Sequence, residues 1–339
     1  VETVDSHFAA PFSPPSVWAP DRAAGVADML VSAAEWIADE LLSRRDGGLN
    51  WPHLVSPARR SESRAHHLYD GTLGAALFLA ALGRVSGVAR WTRVARDTAL
   101  RVRHAVTAAG GYSGAADGLG ICSGTGSIAY GLSLLGRLND DASCTELARD
   151  YAARITPDAV AADRALDVVR GSAGAILALL AVHRSAADSR LVDLAVRCGD
   201  RLLACETQTA DTGYWDTRSG SLVGMAHGAA GIGLALLRLA NLTGRDDFRQ
   251  SGARAVRMVM GQEDPAGGRW PIAYRAPGSD DAAPGMIAWC HGSPGIALAL
   301  GEALDLLGDH AILPPVIAAL DATARAGPHV TDHLCCGTL

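Results

Sequence analysis

The sequence is short of aromatic residues, which make up only 5% of its 339 positions, so its core must be built from Ala and Leu rather than from rings. At 49% apolar it can still bury a large core. Basic residues nowhere gather into a stripe, and the formal net charge is -6 with both signs interspersed. Nucleic acid needs such a stripe, which argues against it as a partner. The longest uncharged apolar segments run to about ten residues, half of the roughly twenty that span a bilayer. A soluble protein without a membrane partner is therefore expected. Cysteine numbers seven, an odd count with no dense framework and no CxxC pair. That usage fits a reducing, cytoplasmic compartment in which thiols stay free. A Pro/Gly/Ser-rich linker is also missing from the interior, so one domain is expected over residues 21–339. Only residues 1–20, with Pro11, Pro14, Pro15 and Pro20, read as a linker or N-terminal arm. They lack the basic start and apolar stretch of a signal peptide.

What the chain does have is a repeat. A glycine pair leads into an apolar run at Gly71 and Gly74 (AALFLAAL), Gly171 and Gly174 (AILALLAV), Gly228 and Gly231 (IGLALLRLA), and Gly292 and Gly295 (IALALGEAL). A weaker copy begins at Gly124, with Ser127 in place of the second glycine, and a sixth opens at Gly337. The first glycines lie roughly 45 to 65 residues apart, in the range of helical-hairpin repeats. Between them, residues 21–45, 90–108, 189–206, 246–262 and 315–326 are amphipathic, with apolar positions at three and four spacing. They read as outer helices, whereas the glycine-led runs are apolar nearly all round, as buried helices are. Two nested rings of helices satisfy both patterns, and glycine at each inner-helix start lets backbones approach closely. The expected fold is all-α, an α/α toroid whose pre-glycine residues point to its centre. The last hairpin is expected to be missing, as in a C-terminally truncated domain.

Aligned on their first glycines, the repeats put Cys290 and Cys335 in one register, two positions before Gly292 and Gly337. Cys336 stands one position before Gly337, the register of His227 and His291. Three such cysteines suit a catalytic zinc site, which keeps three protein ligands and one exchangeable position. Burial as small hydrophobes, or a disulfide between Cys335 and Cys336, fits the spacing equally well. Cys144, Cys198 and Cys205 read as packing residues. Cys122 shares the register of Cys290 but has no partner in the neighbouring repeat, and reads as structural. His227 and His291 precede inner-helix glycines, and histidine suits proton transfer because its ordinary pKa lies near the operating pH. Asp167, four residues before Gly171, could orient a histidine through a hydrogen bond. Asp70 reads as a helix N-cap, and Tyr69, Trp215, Trp270 and Trp289 as packing or rim residues.

The strings LYDGTLGAALFLAAL, LDVVRGSAGAILALL, MAHGAAGIGLALLRL, AWCHGSPGIALAL and LCCGTL resemble successive motifs of the lanthionine synthetase C-like cyclases. They are most similar to the cyclase portion of class II lanthipeptide synthetases, over residues 68–339. The Trp-Cys-His-Gly-x-Pro-Gly string at 289–295 is highly specific. The resemblance implies an α/α toroid with seven inner helices and one zinc ion. The implied activity is addition of peptide cysteine thiols to dehydroalanine or dehydrobutyrine, forming (methyl)lanthionine thioether rings. It carries the zinc-ligand role to Cys290, Cys335 and Cys336, and the active-site histidine role to His227. Asp167 matches an acidic residue that orders the pocket. The implied partners are a dehydrated precursor peptide with its leader and a dehydratase domain upstream of Val1, in a bacterial cytoplasm.

Two positions depart from the family pattern. Many members have Cys-His-Gly where this chain has Cys335-Cys336-Gly337, although a Cys-Cys-Gly subset exists. Met286 stands where some members carry an arginine that pairs with the acidic residue, a role Arg170 or Arg164 could take. Two other functional classes remain open at this point. A non-catalytic peptide- or partner-binding toroid would close a structural zinc with His333, His329 or His291. A metal-independent carbohydrate-active toroid would use Asp70 and Asp167 as paired carboxylates, and chelation separates it from the zinc readings.

Three thiolates around a divalent ion leave one net negative charge, whereas two thiolates and an imidazole leave none. The substrate sulfur should then be more electron-rich and more readily released. Cys336→His at constant zinc content is therefore expected to slow ring formation across several dehydrated peptides. Unchanged or faster rates would contradict the charge argument.

Overall fold

A computed structural model describes residues 20–43, 66–69, 71–108, 118–209, 211–276, 285–327 and 335. Its backbone is a series of helical hairpins. The inner member of each is apolar on most faces: α2 (Thr72–Ser86), α4 (Thr125–Asn139), α7 (Ser172–Ser185), α9 (Ala229–Thr243) and α11 (Ser293–Leu307). Each is followed after a short turn by an amphipathic outer helix that packs on it: α3 (Ala89–Ala108), α5 (Ala142–Ala152), α8 (Ser189–Ala204), α10 (Asp246–Gly261) and α12 (Leu313–Ala326). Consecutive inner helices also pack side by side, α2 on α4, α4 on α7, α7 on α9 and α9 on α11. An outer helix, α1 (Pro20–Ser43), precedes the first hairpin, and a short helix, α6 (Pro157–Ala161), lies between α5 and α7. This is the expected α/α toroid arrangement, with outer-helix ends within two residues of those read from periodicity.

Close backbone contact explains the glycine pairs. A Cβ on Gly231 would stand 2.0 Å from the Met225 carbonyl oxygen, and one on Gly174 would stand 1.9 Å from that of Val168. Gly74 and Gly295 meet the carbonyl six residues upstream in the same way. Each loop therefore curls back against the first turn of its inner helix, which fixes the residues between. The core is mainly Ala, Leu, Ile and Val, with Trp91, Trp215, Trp270, Tyr151 and Phe248 as its largest fully buried side chains. Trp215 and Trp270 donate their indole N–H groups, each at 2.8 Å, to the carbonyls of Leu202 and Val259. Those carbonyls belong to the last turns of α8 and α10, where each also accepts the backbone N–H of the C-cap residue, Cys205 or Gln262.

Three features depart from the sequence reading. A small antiparallel sheet of order β1-β2-β3, with β1 (Glu206–Gln208), β2 (Gly213–Thr217) and β3 (Gly220–Ser221), interrupts the helices before α9. The outer helix read as 189–206 accordingly ends at Ala204, because Glu206 has entered the strand. There the Glu206 carboxylate accepts two bonds from Arg254 and one from Ser251, both on α10. The third departure is α1, which buries Ala38 but leaves Met29, Leu30, Trp36 and Ile37 exposed, so its apolar face is only partly covered. No described helix is long and apolar enough to cross a membrane.

The backbone contact makes a stability prediction. Gly231→Ala should cost about 2–4 kcal/mol in denaturant titration, since the colliding atom is main-chain and cannot move aside. Gly301→Ala, inside α11 with nothing within 4 Å of the new methyl, should instead stabilise by about 0.5–1 kcal/mol. Equal effects at the two positions would show that the close approach does not constrain the fold.

Candidate active site

Backbone hydrogen bonds link the loops that precede the inner helices. The residue two before each first glycine donates to, or lies beside a donor to, its counterpart in the next repeat. Tyr69 N–H donates to the Cys122 carbonyl at 3.2 Å, and Ser123 N–H to that of Val169 at 3.0 Å. Val169 N–H then donates to Ala226 at 3.3 Å, Ala226 N–H to Cys290 at 3.1 Å, and Cys290 N–H to Cys335 at 3.0 Å. The register deduced from the repeats is thus a chain of direct contacts.

This arc brings Cys290 and Cys335 together. Cys290 is buried in a small apolar cluster with Ala226 and Ala288, and Cys335, Val169, Met286 and Trp289 pack against that cluster. Both cysteines are free thiols. Cys336, the third expected metal ligand, lies outside the described residues, as do Asp70, His329 and His333. Among the described residues no three His, Cys, Asp or Glu side chains stand close enough to hold a metal ion. Two cysteines on neighbouring, hydrogen-bonded loops suit a thiophilic divalent metal, with the remaining expected ligand next in sequence.

The position one before each glycine carries the histidines. His227 and His291 stack with ring centroids 5.3 Å apart and an interplanar angle of 25°. His227 Nδ1 lies 2.7 Å from Asp167 Oδ2. A carboxylate only accepts, so Nδ1 carries the hydrogen and Nε2 is left for other chemistry. Asp167 is 5% exposed at its side chain and His227 26%. Asp167 Oδ1 accepts the Arg170 backbone N–H at 2.7 Å. His291 Nδ1 is buried without a hydrogen-bond partner among the described residues. Burial, and then the neighbouring His227, hold its pKa below the usual histidine value. The candidate acid–base pair is therefore Asp167 with His227, while His291 stacks against it as a neutral ring.

Met286, at the place of the family arginine, packs against the cysteine cluster. No arginine side chain pairs with Asp167 among the described residues. Arg170 contributes only its backbone N–H, and Arg164 uses its carbonyl to accept from Arg218 N–H. Sequence reasoning placed Cys122 among structural residues, yet its thiol lies within electrostatic reach of both Asp167 and Cys335. Burial, with the negative charge of Asp167 and Cys335 behind it, pushes its pKa up to about 12. Its register was the available signal.

A family model described as lanthionine synthetase C-like protein matches residues 62–339. The chain belongs to that family. Among solved structures, nisin cyclase aligns with it at a TM-score of 0.64 and 18% identity, over 91% of this chain and 79% of its own. That likeness shows a shared fold. A structure titled as a UGL variant with dGlcA-Glc-Rha-Glc aligns at 0.47 and 13% identity, over 78% of this chain and 76% of its own, too weak to carry an argument. In this lanthionine synthetase C-like chain Asp167, His227 and Cys290 precede the consecutive inner helices α7, α9 and α11, and Cys335 is hydrogen-bonded to Cys290 beside them.

The environment of Cys122 predicts its reactivity. At pH 8 a thiol raised to about 12 from an ordinary 9.0 holds roughly a thousandfold less thiolate. Iodoacetamide labelling of native protein, read by peptide mass spectrometry, should leave Cys122 unmodified when a free peptide thiol reacts fully. Rapid labelling of Cys122 would show its thiol to be open and ionised.

Proposed function

We propose that the chain is a zinc-dependent lanthipeptide cyclase, adding cysteine thiols of a dehydrated precursor peptide to dehydroalanine or dehydrobutyrine. The observation that carries this reading is the placement of an Asp167–His227 pair one backbone step from Cys290 and Cys335, which are hydrogen-bonded to each other through the backbone and share one apolar cluster. Family membership supports the same chemistry.

Cys290, Cys335 and Cys336 would hold the ion, with a fourth position left for substrate. When bound, zinc supplies deprotonation of an incoming thiol, whose free form is mostly protonated at neutral pH. The other tasks fall to side chains. Attack of the peptide sulfur on the alkene β-carbon forms the C–S bond and moves the π electrons toward the α-carbon and carbonyl as an enolate. The α-carbon must then take a proton, which a positioned acid supplies. His227 is assigned this role, donating from Nε2 while Asp167 holds Nδ1–H and fixes the ring plane. The chain contains no lysine, all of its 30 basic residues being arginine, so histidine is the natural donor near neutral pH. His291 packs on the His227 ring and limits its rotation. The small Ala226–Ala288 cluster excludes water beside the thiols.

The net reaction loses no atoms, so product and substrate have the same mass. Free-thiol alkylation followed by mass spectrometry therefore reads ring formation directly. The protein with one zinc should consume the free thiols of a dehydrated peptide, whereas Cys290→Ala should lose both metal and activity. His227→Asn should keep the zinc and slow cyclisation by about 10²–10⁴-fold. Retained thiols with fully zinc-loaded protein, or an unimpaired His227→Asn variant, would refute the assignment.

A further inference from the structure

Four residues upstream of Asp167 stands a second acid, Asp163, which the proposed reaction does not use. It is 9% exposed, and its carboxylate is engaged on both oxygens. Oδ1 accepts the Ala165 N–H at 2.9 Å. Oδ2 accepts the Ser172 N–H at 2.7 Å and the Ser172 hydroxyl at 2.6 Å. The Leu166 N–H lies 3.4 Å from Oδ1 and 3.3 Å from Oδ2. The Asp163 carbonyl accepts two bonds from the Arg201 guanidinium on α8, at 3.1 and 2.7 Å. One residue thus ties the loop, the first turn of α7 and the outer helix together. Gly171, the N-cap of α7, has no side chain to cap it, and Asp163 supplies the carboxylate instead.

The loop it closes holds a strained residue. Leu166, buried, has φ of 60°, in the left-handed region that a bulky L-residue enters only when its surroundings hold it there. The next residue is Asp167, whose direction toward His227 follows from that turn. In the other four repeats with a described inner helix, the position eight before the first glycine is Ser63, Ala116, Gly220 or Pro284. None of these is an acid, so the carboxylate at this position is particular to the repeat that carries the acid of the pair.

We infer that Asp163 is a positioning residue: by holding Leu166 in its left-handed turn and pinning Ser172, it aims the Asp167 carboxylate at His227 Nδ1. Its kinetic consequence rests on the proposed role of His227, while its structural consequence does not. Asp163→Asn keeps the shape but turns one acceptor into a donor among N–H groups. In protein labelled with ¹⁵N-histidine, the Nδ1–H resonance of His227 should shift or broaden in this variant. Its kcat should fall at least about tenfold, with KM changed less than about threefold. In an Asp167→Asn background the same substitution should cost less than about twofold, because its effect passes through Asp167. A residue that only stabilised the fold would slow both backgrounds alike. Should Asp163→Asn fail to fold, Ser172→Ala removes a single bond of the brace. It should move the same resonance in the same direction and lower kcat about threefold. An unchanged resonance and kcat in the folded variants, or equal losses in both backgrounds, would overturn the inference. If the unaltered protein makes no rings, yet Asp163→Asn abolishes the His227 resonance, the positioning role stands and the proposed activity falls.

Discussion

The backbone arc that joins Tyr69, Cys122, Val169, Ala226, Cys290 and Cys335 across successive repeats is the contact on which the site depends. Side chains from repeats more than forty residues apart in sequence meet only because their loops are hydrogen-bonded at matching positions. In four of the repeats the second glycine, Gly74, Gly174, Gly231 or Gly295, lets a carbonyl six residues upstream press on the helix start. At Gly74, Gly174, Gly231 and Gly295 a side chain would collide with that main-chain oxygen, whereas the Gly124 repeat, with Ser127 at this place, joins the arc without the contact. Packing of the inner helices, loop shape and site geometry are therefore one constraint seen at three scales.

Within that frame, chemical identity varies from repeat to repeat while geometry repeats. The position two before the glycine is Val in one repeat, Ala in the next and Cys in the following two. The position one before the glycine turns from Arg170 to His227 and His291 in the same direction. The Asp167–His227 bond of 2.7 Å ties the acidic repeat to the histidine repeat. With Met286 packing among the cysteines, the Asp167 carboxylate is held by the Arg170 backbone N–H and His227 rather than by an arginine side chain. A carboxylate held by a main-chain N–H three residues on has its direction set by loop conformation, which is why the left-handed Leu166 matters.

Much of this was legible in the sequence. Glycine spacing gave the hairpins, three-and-four periodicity gave the outer helices, and alignment on the glycines put Cys290 beside Cys335 and His227 beside His291. Both depend on local rules that repeat, so one sequence suffices to see them. The strands around Gly213–Thr217 were hidden because a five-residue strand in a helical chain leaves no periodic signal, and its stability comes from packing on α10. Asp163 was hidden for a different reason. Its role follows from a loop turn at Leu166 and a bond to Ser172 nine residues on, and neither produces a pattern in composition or spacing. Cys122 shows the limit of register as a guide, since shared position placed it near Asp167 while burial keeps its thiol protonated.

Sulfur coordination of the bound metal tests the central claim most directly. X-ray absorption at the zinc edge of the loaded protein should show three sulfur neighbours and one light-atom ligand, with a fourth sulfur appearing when a cysteine peptide is added. A coordination sphere already closed by a protein nitrogen, or one with fewer than three sulfurs, would contradict an open three-thiolate site.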